Sequence, residues 1–276
     1  MSQQELSADT VERANGMPML GLGTWENTED GQCAESVQQA LEMGYRHIDT
    51  AQAYGNEEQV GEGIAAADVD REEIFLATKV WIDHLDHDGV VETTKESLDK
   101  LGVDSVDLLY VHWPSRTYDP EETLGAFNEL VDEGLVDRIG VSNFQPEHME
   151  EAVDVSEEPI FANQVELHPL LPQEEIRSKA DELDIEVVAY SPLARGEIFE
   201  NETIQDVADK HDASAAQVSL AWLREKGVTA IPKATSEDHI RNNWESLAVD
   251  LDDEDVEKID GMDETDRRVD PDFAPW

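Results

Sequence analysis

The sequence predicts an α/β fold, namely a (β/α)8 TIM barrel with an N-terminal β-hairpin and an extra C-terminal helix and tail. Apolar strand-like runs alternate with helical patterns along the 276 residues, which indicates a parallel sheet. There are eight such runs, and eight parallel strands close this barrel. An open doubly wound sheet is the alternative. It normally carries a G-x-G-x-x-G turn after its first strand, whereas Gly21-Leu22-Gly23 continues into Thr24-Trp25-Glu26.

The elements follow in order from the N-terminus. Asn15-Gly16 predicts a hairpin turn, with Pro18 just beyond it. The run Leu20-Gly21-Leu22-Gly23 predicts the first barrel strand. The other seven strands are predicted at residues 47–49, 74–78, 106–112, 139–142, 162–166, 187–190 and 228–231.

Helical spacing of apolar residues fills the gaps between these strands. Gly102 and Gly134 are typical of helix C-termini, and Pro146 is typical of a first helical turn. After the eighth strand, Ser236 is placed to cap one helix and Asp252 to cap a short final one. Because no linker or low-complexity segment interrupts the pattern, we expect residues 1–276 to form a single barrel domain.

Composition excludes several classes of function. The chain has 66 Asp and Glu against 19 Lys and Arg, a formal net charge of −47, so it should repel nucleic acids and anionic membranes. Neither a membrane span nor an apolar signal core is visible, and the single Cys33 excludes an internal disulfide. These features predict a soluble, cytoplasmic, monomeric protein.

The excess of acidic residues also suggests a high-salt environment. The acidic residues are interleaved with apolar ones, which argues against disorder. Their mutual repulsion would strain an ordinary domain, but at about 1 M salt the Debye length falls to about 3 Å and screens it. We therefore expect a protein of an extreme halophile that loses stability at low salt.

Polar residues gather at the predicted strand ends, which meet on one rim of such a barrel and carry the catalytic groups there. A single charged residue at a strand end is usually just solvated, so it is their collection that predicts a site. They are Asp49, Lys79, His112, Ser142, Asn143, Gln164, Glu166, Tyr190, Ser191 and Lys233.

Several motifs resemble the aldo-keto reductase superfamily, in the right order and across almost the whole chain. The closest likeness is to its prokaryotic diketogluconate and aldehyde reductase branch. The matching segments are 46–57 (RHIDTAQAYGNE), 77–81 (ATKVW), 111–114 (VHWP), 140–144 (GVSNF), 163–169 (NQVELHP), 189–193 (AYSPL) and 231–233 (IPK).

The resemblance implies a reductase that transfers hydride from a nicotinamide cofactor to a carbonyl group. The family's four catalytic positions fall on Asp49, Tyr54, Lys79 and His112. Tyr54 would be the proton donor. A free phenol has a pKa of about 10 and is therefore a poor acid at neutral pH. A lysine cation beside it favours the phenolate and should lower that pKa. Asp49 would hold Lys79, and His112 would orient the substrate carbonyl.

The resemblance also implies the cofactor contacts. Ser142, Asn143 and Gln164 would bind the nicotinamide carboxamide, and Tyr190 would stack on its ring. A loop with a hinge at Gly196 would wrap the pyrophosphate. The full predicted cofactor set is Gly23, Thr24, Asp49, Ser142, Asn143, Gln164, Tyr190, Ser191, Pro192, Leu193, Gly196, Lys233, Thr235, His239, Asn242 and Asn243.

The adenosine end departs from the family pattern. Ala234 and His239 replace the serine and arginine usual in NADPH-preferring members, and Asn242 replaces a glutamate. Lys233, Thr235 and Ser236 remain for a ribose 2′-phosphate, with Arg241 nearby, but histidine lacks the guanidinium fork suited to phosphate. We expect NADPH to be used, with weakened discrimination against NADH.

The predicted substrate pocket consists of aromatic residues and two of the catalytic positions. They are Trp25, Tyr54, Trp81, His112 and Trp113, with Phe144 as a further candidate wall. The C-terminal tail from Arg267 to Trp276 could cover one side, with its arginines in ion pairs. No metal is expected, because His84 and His87 lie in an acidic loop without a second ligand cluster.

Two other functions stay open from the residues alone. A Schiff-base aldolase could use Lys79 or Lys233, and trapping of substrate on lysine by borohydride would favour it. A nucleotide-sensing subunit would bind cofactor without any turnover.

Overall fold

A computed structural model of the protein describes residues 6–29, 31–263 and 265–276. Its centre is a parallel sheet in which neighbours follow chain order. The eight strands are β3 (Leu22–Gly23), β4 (His47–Asp49), β5 (Phe75–Val80), β6 (Leu108–Val111), β7 (Ile139–Ser142), β8 (Ile160–Glu166), β9 (Glu186–Tyr190) and β10 (Thr229–Ala230).

The barrel closes where β10 meets the segment around β3. Leu20 pairs with Ala230 and Gly23 with Lys233, both in parallel. The amide of Gly21 donates to the Ala230 carbonyl at 2.9 Å, and the amide of Ala230 donates to the Met19 carbonyl at 2.9 Å. The predicted (β/α)8 barrel is confirmed.

The predicted N-terminal hairpin is also confirmed. Strands β1 (Arg13–Ala14) and β2 (Met17–Pro18) pair antiparallel. Asn15 and Gly16 between them have φ angles of 46° and 94°, the left-handed values that a tight hairpin turn requires. Met17 is fully buried among side chains inside the barrel, so the hairpin covers the amino ends of the strands.

Ten α-helices are present in the described residues. They are α1 (Gln32–Met43), α2 (Glu57–Ala66), α3 (His87–Leu101), α4 (Pro120–Asp132), α5 (Pro146–Val155), α6 (Glu174–Glu182), α7 (Glu202–Lys210), α8 (Ala215–Glu225), α9 (Glu237–Trp244) and α10 (Asp253–Asp260). The predicted caps at Ser236 and Asp252 accept backbone N–H groups, and Gly102 ends α3 in a left-handed conformation.

Helix α7 was not predicted. It begins at the cap Asn201 and buries Ile204, Val207 and Ala208, an i, i+3, i+4 set that was the available signal. Strand ends also differ from prediction. The last strand is limited to Thr229–Ala230, and beyond it the pairing continues only as single contacts, such as the bridge between Gly23 and Lys233.

Two apolar layers hold the barrel together. Side chains such as Phe75 and Leu108 fill its interior, and a larger cluster fills the space between sheet and helices. The carboxyl ends of the strands therefore form an open rim, where the polar strand-end residues collect. No helix in the described ranges is long and apolar enough to cross a membrane.

Candidate active site

A cavity of about 1010 Å³ opens at the carboxyl rim, and three of the four predicted catalytic residues line it. Asp49 ends β4, Tyr54 lies on a 3-10 turn directly after it, and His112 follows β6. Lys79, near the end of β5, is fully buried and reaches Asp49 from the barrel interior. The structure brings the four residues together because adjacent parallel strands end at one level.

Asp49 and Lys79 form a buried ion pair. Lys79 Nζ lies 2.5 Å from Asp49 Oδ1 and also donates to the Thr50 carbonyl at 2.8 Å. Gln164 Nε2 donates to the second carboxylate oxygen at 2.7 Å. Burial lowers the pKa of Lys79, and Asp49 opposes that effect. Both oxygens of Asp49 are thus used inside the protein, which fixes the position of the ammonium group.

Tyr54 lies against this pair. Lys79 Nζ is 5.2 Å from the centroid of the Tyr54 ring, and the ring of His112 meets Tyr54 edge-on at 5.8 Å. Burial and then the charge of Asp49 raise the pKa of Tyr54 well above 10. Burial and the Asp49 charge therefore outweigh any lowering of the Tyr54 pKa by the neighbouring Lys79 cation.

His112 is held as a neutral imidazole. Burial, followed by the positive charge of Lys79, lowers its pKa well below 6.5. Its Nδ1 is buried and has no hydrogen-bond partner among the described residues. Trp81 packs edge-on against the ring at 5.1 Å, which limits its rotation. A neutral ring in this position can donate one N–H into the cavity.

Four residues predicted to hold a nicotinamide share one wall of the cavity. Ser142 Oγ donates to the Gln164 carbonyl at 2.8 Å, and Tyr190 donates from its hydroxyl to Asn143 Oδ1 at 2.8 Å. Asn143 has a left-handed φ of 64°, and its backbone N–H donates to the backbone carbonyl of Gln164 at 2.9 Å. These bonds place amide groups beside an aromatic ring that borders the cavity.

The loop after β9 curls along the same wall. Ser191, Ala194, Arg195 and Gly196 all have positive φ angles between 47° and 103°. Of these, only Gly196 adopts such a φ without strain. Pro192 and Leu193 complete the lining, and the Arg195 guanidinium lies 4.6 Å from the centre of the Trp25 ring. Sequence reasoning missed Arg195, which only this tight loop brings to the cavity.

The residues predicted to contact the adenosine part of the cofactor lie in different places. Gly23, Thr24 and Lys233 line the main cavity, and Thr24 Oγ1 donates to the Asp49 carbonyl at 3.1 Å. Thr235 instead lines an adjacent hollow of about 400 Å³ together with Ser236. That hollow is also bordered by the acidic side chains Glu29, Glu35 and Glu237.

Helix α9 carries the remaining predicted contacts, and the structure does not bring them to either cavity wall. His239 is exposed, Asn242 is half-buried and Asn243 is buried. Arg241, the candidate phosphate ligand, donates to Glu237 at 2.6 Å. The arginine nearest this site is therefore already paired with a carboxylate.

Trp25, Trp81 and Trp113 line the cavity as predicted, but Phe144 does not. Phe144 is fully buried between Tyr118 and His148, with ring centroids 5.4 and 5.8 Å apart, so its assignment to the pocket wall is wrong.

The C-terminal tail supplies part of the wall that Phe144 was expected to form. Residues 268–271 and Phe273 line the cavity. Arg268 pairs with Asp266 at 2.5 Å and with Glu197 at 3.5 Å, which confirms the expected ion pairing for this arginine, whereas the Arg267 guanidinium lies 3.7 Å from the centre of the Trp276 ring. Because the tail contains several apolar residues, no pattern in the sequence singled out Phe273 for the pocket wall.

Cys33 and His87, two side chains that can act as a nucleophile or a metal ligand, do not line the cavity. Cys33 is buried on α1, where burial raises the pKa of its thiol to about 12. His87 is half-buried at the start of α3, and its Nε2 lies 3.1 Å from Glu129 Oε2.

The cavity suits a dinucleotide. It combines an aromatic face, side-chain amides that can read a carboxamide, and the cations Arg195 and Lys233 in a protein that has few of them. Its volume is at the upper end of that of ordinary ligand pockets. The geometry therefore provides room for a cofactor along one wall and for a small substrate among the tryptophans.

Comparison with known proteins gives a consistent result. Residues 16–264 match the model of the aldo/keto reductase family. The chain is 40% identical to the glyoxal reductase of Bacillus subtilis, with 95% of each chain covered. It is 41% identical to the methylglyoxal reductase DkgB of Escherichia coli O157:H7, with 94% and 98% covered. A Bombyx mori aldo-keto reductase solved in complex with NADP superposes with a TM-score of 0.84 at 35% identity, over 91% of each chain.

Proposed function

The chain belongs to the aldo/keto reductase family, and from this premise we propose that it reduces small carbonyl compounds with NADPH, using Tyr54 as the proton donor. The observation that carries the proposal is the buried Asp49–Lys79 pair beside Tyr54 and His112 at one cavity. In the overall reaction the carbonyl carbon gains a hydride and the oxygen gains a proton, yielding an alcohol. The barrel would act as one domain.

The nicotinamide cofactor supplies the hydride, because no side chain can. We assign its carboxamide to Ser142, Asn143 and Gln164, and its ring face to Tyr190. The curled loop from Ser191 to Gly196 would enclose the phosphates. The Arg195 guanidinium on this loop lies beside the cavity and would supply positive charge for them.

Tyr54 would donate the proton. With its pKa raised by burial, the phenol stays protonated at neutral pH, which is the form a donor needs. An alkoxide is far more basic than a phenolate, so transfer remains downhill. Neutral His112 would donate a hydrogen bond to the carbonyl oxygen and hold it near Tyr54. Lys79, fixed by Asp49, would stabilise negative charge on the phenol oxygen as the proton leaves.

Cofactor selectivity would be modest. Lys233 is an exposed cation placed for a 2′-phosphate, but His239 replaces an arginine and Arg241 is paired with Glu237. The acidic hollow beside Thr235 also disfavours an extra phosphate. We infer a preference for NADPH over NADH that is weaker than a hundredfold.

The substrate would be a small aldehyde, ketone or sugar-derived carbonyl compound. Trp25, Trp81 and Trp113 form apolar walls around the carbonyl site. Relatives named for glyoxal and methylglyoxal suggest 2-oxoaldehydes as first candidates. The chain would act on them as a monomer.

The test is a substrate panel of glyoxal, methylglyoxal, benzaldehyde and sugars. Oxidation of NADPH or NADH is followed by absorbance in about 2 M salt, which screens the acidic surface. We expect turnover that depends on cofactor and carbonyl and is lost in Tyr54→Phe. Cofactor binding without turnover of any carbonyl would instead favour a nucleotide sensor. Borohydride trapping of substrate on a lysine would favour an aldolase.

A further inference from the structure

Glu166 is a buried carboxylate that the proposed reaction does not use. It ends β8 and is fully buried. Because side chains alternate along a strand, Glu166 lies on the same face of the sheet as Gln164. Gln164 donates a hydrogen bond to Asp49, whereas Glu166 accepts one from the backbone of Arg268 near the C-terminus. Two side chains on the same face of one strand therefore contact the Asp49–Lys79 pair and the C-terminal tail, residues 267–276.

Three donors surround this carboxylate. The backbone N–H of Arg268 donates to Oε1 at 2.7 Å, and the N–H of Val269 donates to Oε2 at 2.9 Å. His168 Nε2 lies 3.1 Å from Oε1. No lysine or arginine side chain in the described residues forms an ion pair with Glu166. The tail amides thus replace water for a buried charge, and such charge-assisted bonds are about twice as strong as neutral ones.

The tail carries aromatic groups to the cavity just beyond this contact. The ring of Phe273 meets Trp81 at 5.9 Å and Trp113 at 5.4 Å, both edge-on. Trp276 packs on Trp113 at 5.5 Å. Arg268 also forms partly exposed ion pairs with Asp266 and Glu197, and the backbone N–H of Asp266 donates to the Leu170 carbonyl at 2.8 Å. Among these contacts, Glu166 is the buried side chain that holds the tail through two backbone amides.

We propose that Glu166 is a positioning residue that fixes the C-terminal tail, so that Phe273 forms one wall of the substrate pocket. Glu166 would set the selectivity for bulky aromatic carbonyl compounds over small ones without touching substrate. The selectivity part rests on the proposed reductase function, whereas the attachment of the tail does not.

The attachment is tested by hydrogen exchange in Glu166→Gln. A glutamine side chain has one acceptor oxygen and an N–H2 group, so it cannot accept from both tail amides. We expect the C-terminal peptide containing Arg268 and Val269 to exchange about tenfold faster or more. Glu186→Gln is the matched control, because Glu186 starts the next strand at the opposite end of the barrel. Unchanged exchange in Glu166→Gln would overturn the proposal.

Selectivity is tested with a double-mutant cycle. In Glu166→Gln we expect kcat/KM for benzaldehyde to fall about tenfold, mainly through KM, while methylglyoxal changes less than twofold. The dissociation constant of NADPH should not change. In a Phe273→Ala background, Glu166→Gln should have little further effect, because the wall it positions is already gone. Equal losses on both substrates, or additive losses, would contradict the proposal.

A second variant keeps the buried core intact. Val269→Pro removes the N–H that donates to Oε2 but changes only the half-buried tail. It should reproduce the faster exchange and the loss of benzaldehyde selectivity; normal protection of the tail would count against the proposal. If no carbonyl is turned over at all, the reductase function fails, and the exchange data still decide whether Glu166 holds the tail.

Discussion

The two ends of the proposed cofactor cleft are built differently. At the catalytic end, Asp49, Lys79 and Gln164 are buried and joined by hydrogen bonds of 2.5–2.7 Å. At the adenosine end, His239 and Lys233 are exposed, and Arg241 is paired with Glu237. Removing one member of a buried hydrogen-bond network costs a large free energy, whereas removing a charge from an exposed site costs little. Chemistry should therefore be fixed at one end and selectivity adjustable at the other.

The largest effect is expected for Tyr54→Phe. Removing the proton donor should lower kcat by about 10²–10⁴-fold while NADPH still binds, because the cofactor contacts are unchanged. Tyr118→Phe is the control, since Tyr118 packs on Phe144 away from the cavity. Steady-state kinetics and cofactor titration measure both. A Tyr54→Phe variant with near-normal kcat would remove Tyr54 from its proposed role.

The second effect is on stability at the catalytic end. Lys79→Met leaves Asp49 as a buried charge without its cation, and such losses typically cost about 3–5 kcal/mol. Lys95→Met breaks the surface pair with Glu133 and should cost at most about 1 kcal/mol. Chemical denaturation in molar salt gives both values. Similar costs for the two variants would erase the contrast between buried and exposed charge.

The third effect concerns the acidic surface. With a net charge of −47, self-repulsion grows as salt is removed, so we expect Tm to fall by roughly 10 °C or more between molar and millimolar salt. Calorimetry across a salt series measures the change. Full stability at millimolar salt would refute the expectation of a halophilic protein.

The fourth effect concerns the adenosine end. His239→Arg restores a guanidinium fork and should raise the NADPH over NADH ratio of kcat/KM about tenfold. Glu237→Gln releases Arg241 and should raise the ratio by a smaller factor. Asp238→Asn removes a neighbouring charge without freeing an arginine and serves as control. A ratio near a hundredfold or more in the unmodified protein would show that this end already discriminates.

The smallest effect is expected from pH. Since the Tyr54 pKa is raised above 10, its phenol remains protonated up to that pH, and since the His112 pKa is lowered below 6.5, its ring remains neutral down to that pH. As far as these two groups determine it, the kcat for reduction should be flat from pH 6.5 to 10. A decline centred well below pH 10 would indicate that Tyr54 or Lys79, whose pKa burial lowers, loses its proton there, and would contradict the prediction.

Residues whose position follows from a strand end were predictable. Asp49, Lys79 and Gln164 lie where periodicity and motif order place them, because parallel strands end on a common rim. The tail partners of Glu166 were not predictable, since these two bonds span 102 and 103 residues of sequence. The direction of the Tyr54 pKa depends on local packing, which a linear pattern does not report.

The seam of the barrel has one more consequence. The barrel closes there through two isolated bridges, Leu20–Ala230 and Gly23–Lys233, and both Gly23 and Lys233 line the proposed cofactor cleft. A nucleotide seated there would bridge the joint and favour the closed form by mass action. Binding of the cofactor would then raise the resistance of this enzyme to thermal unfolding.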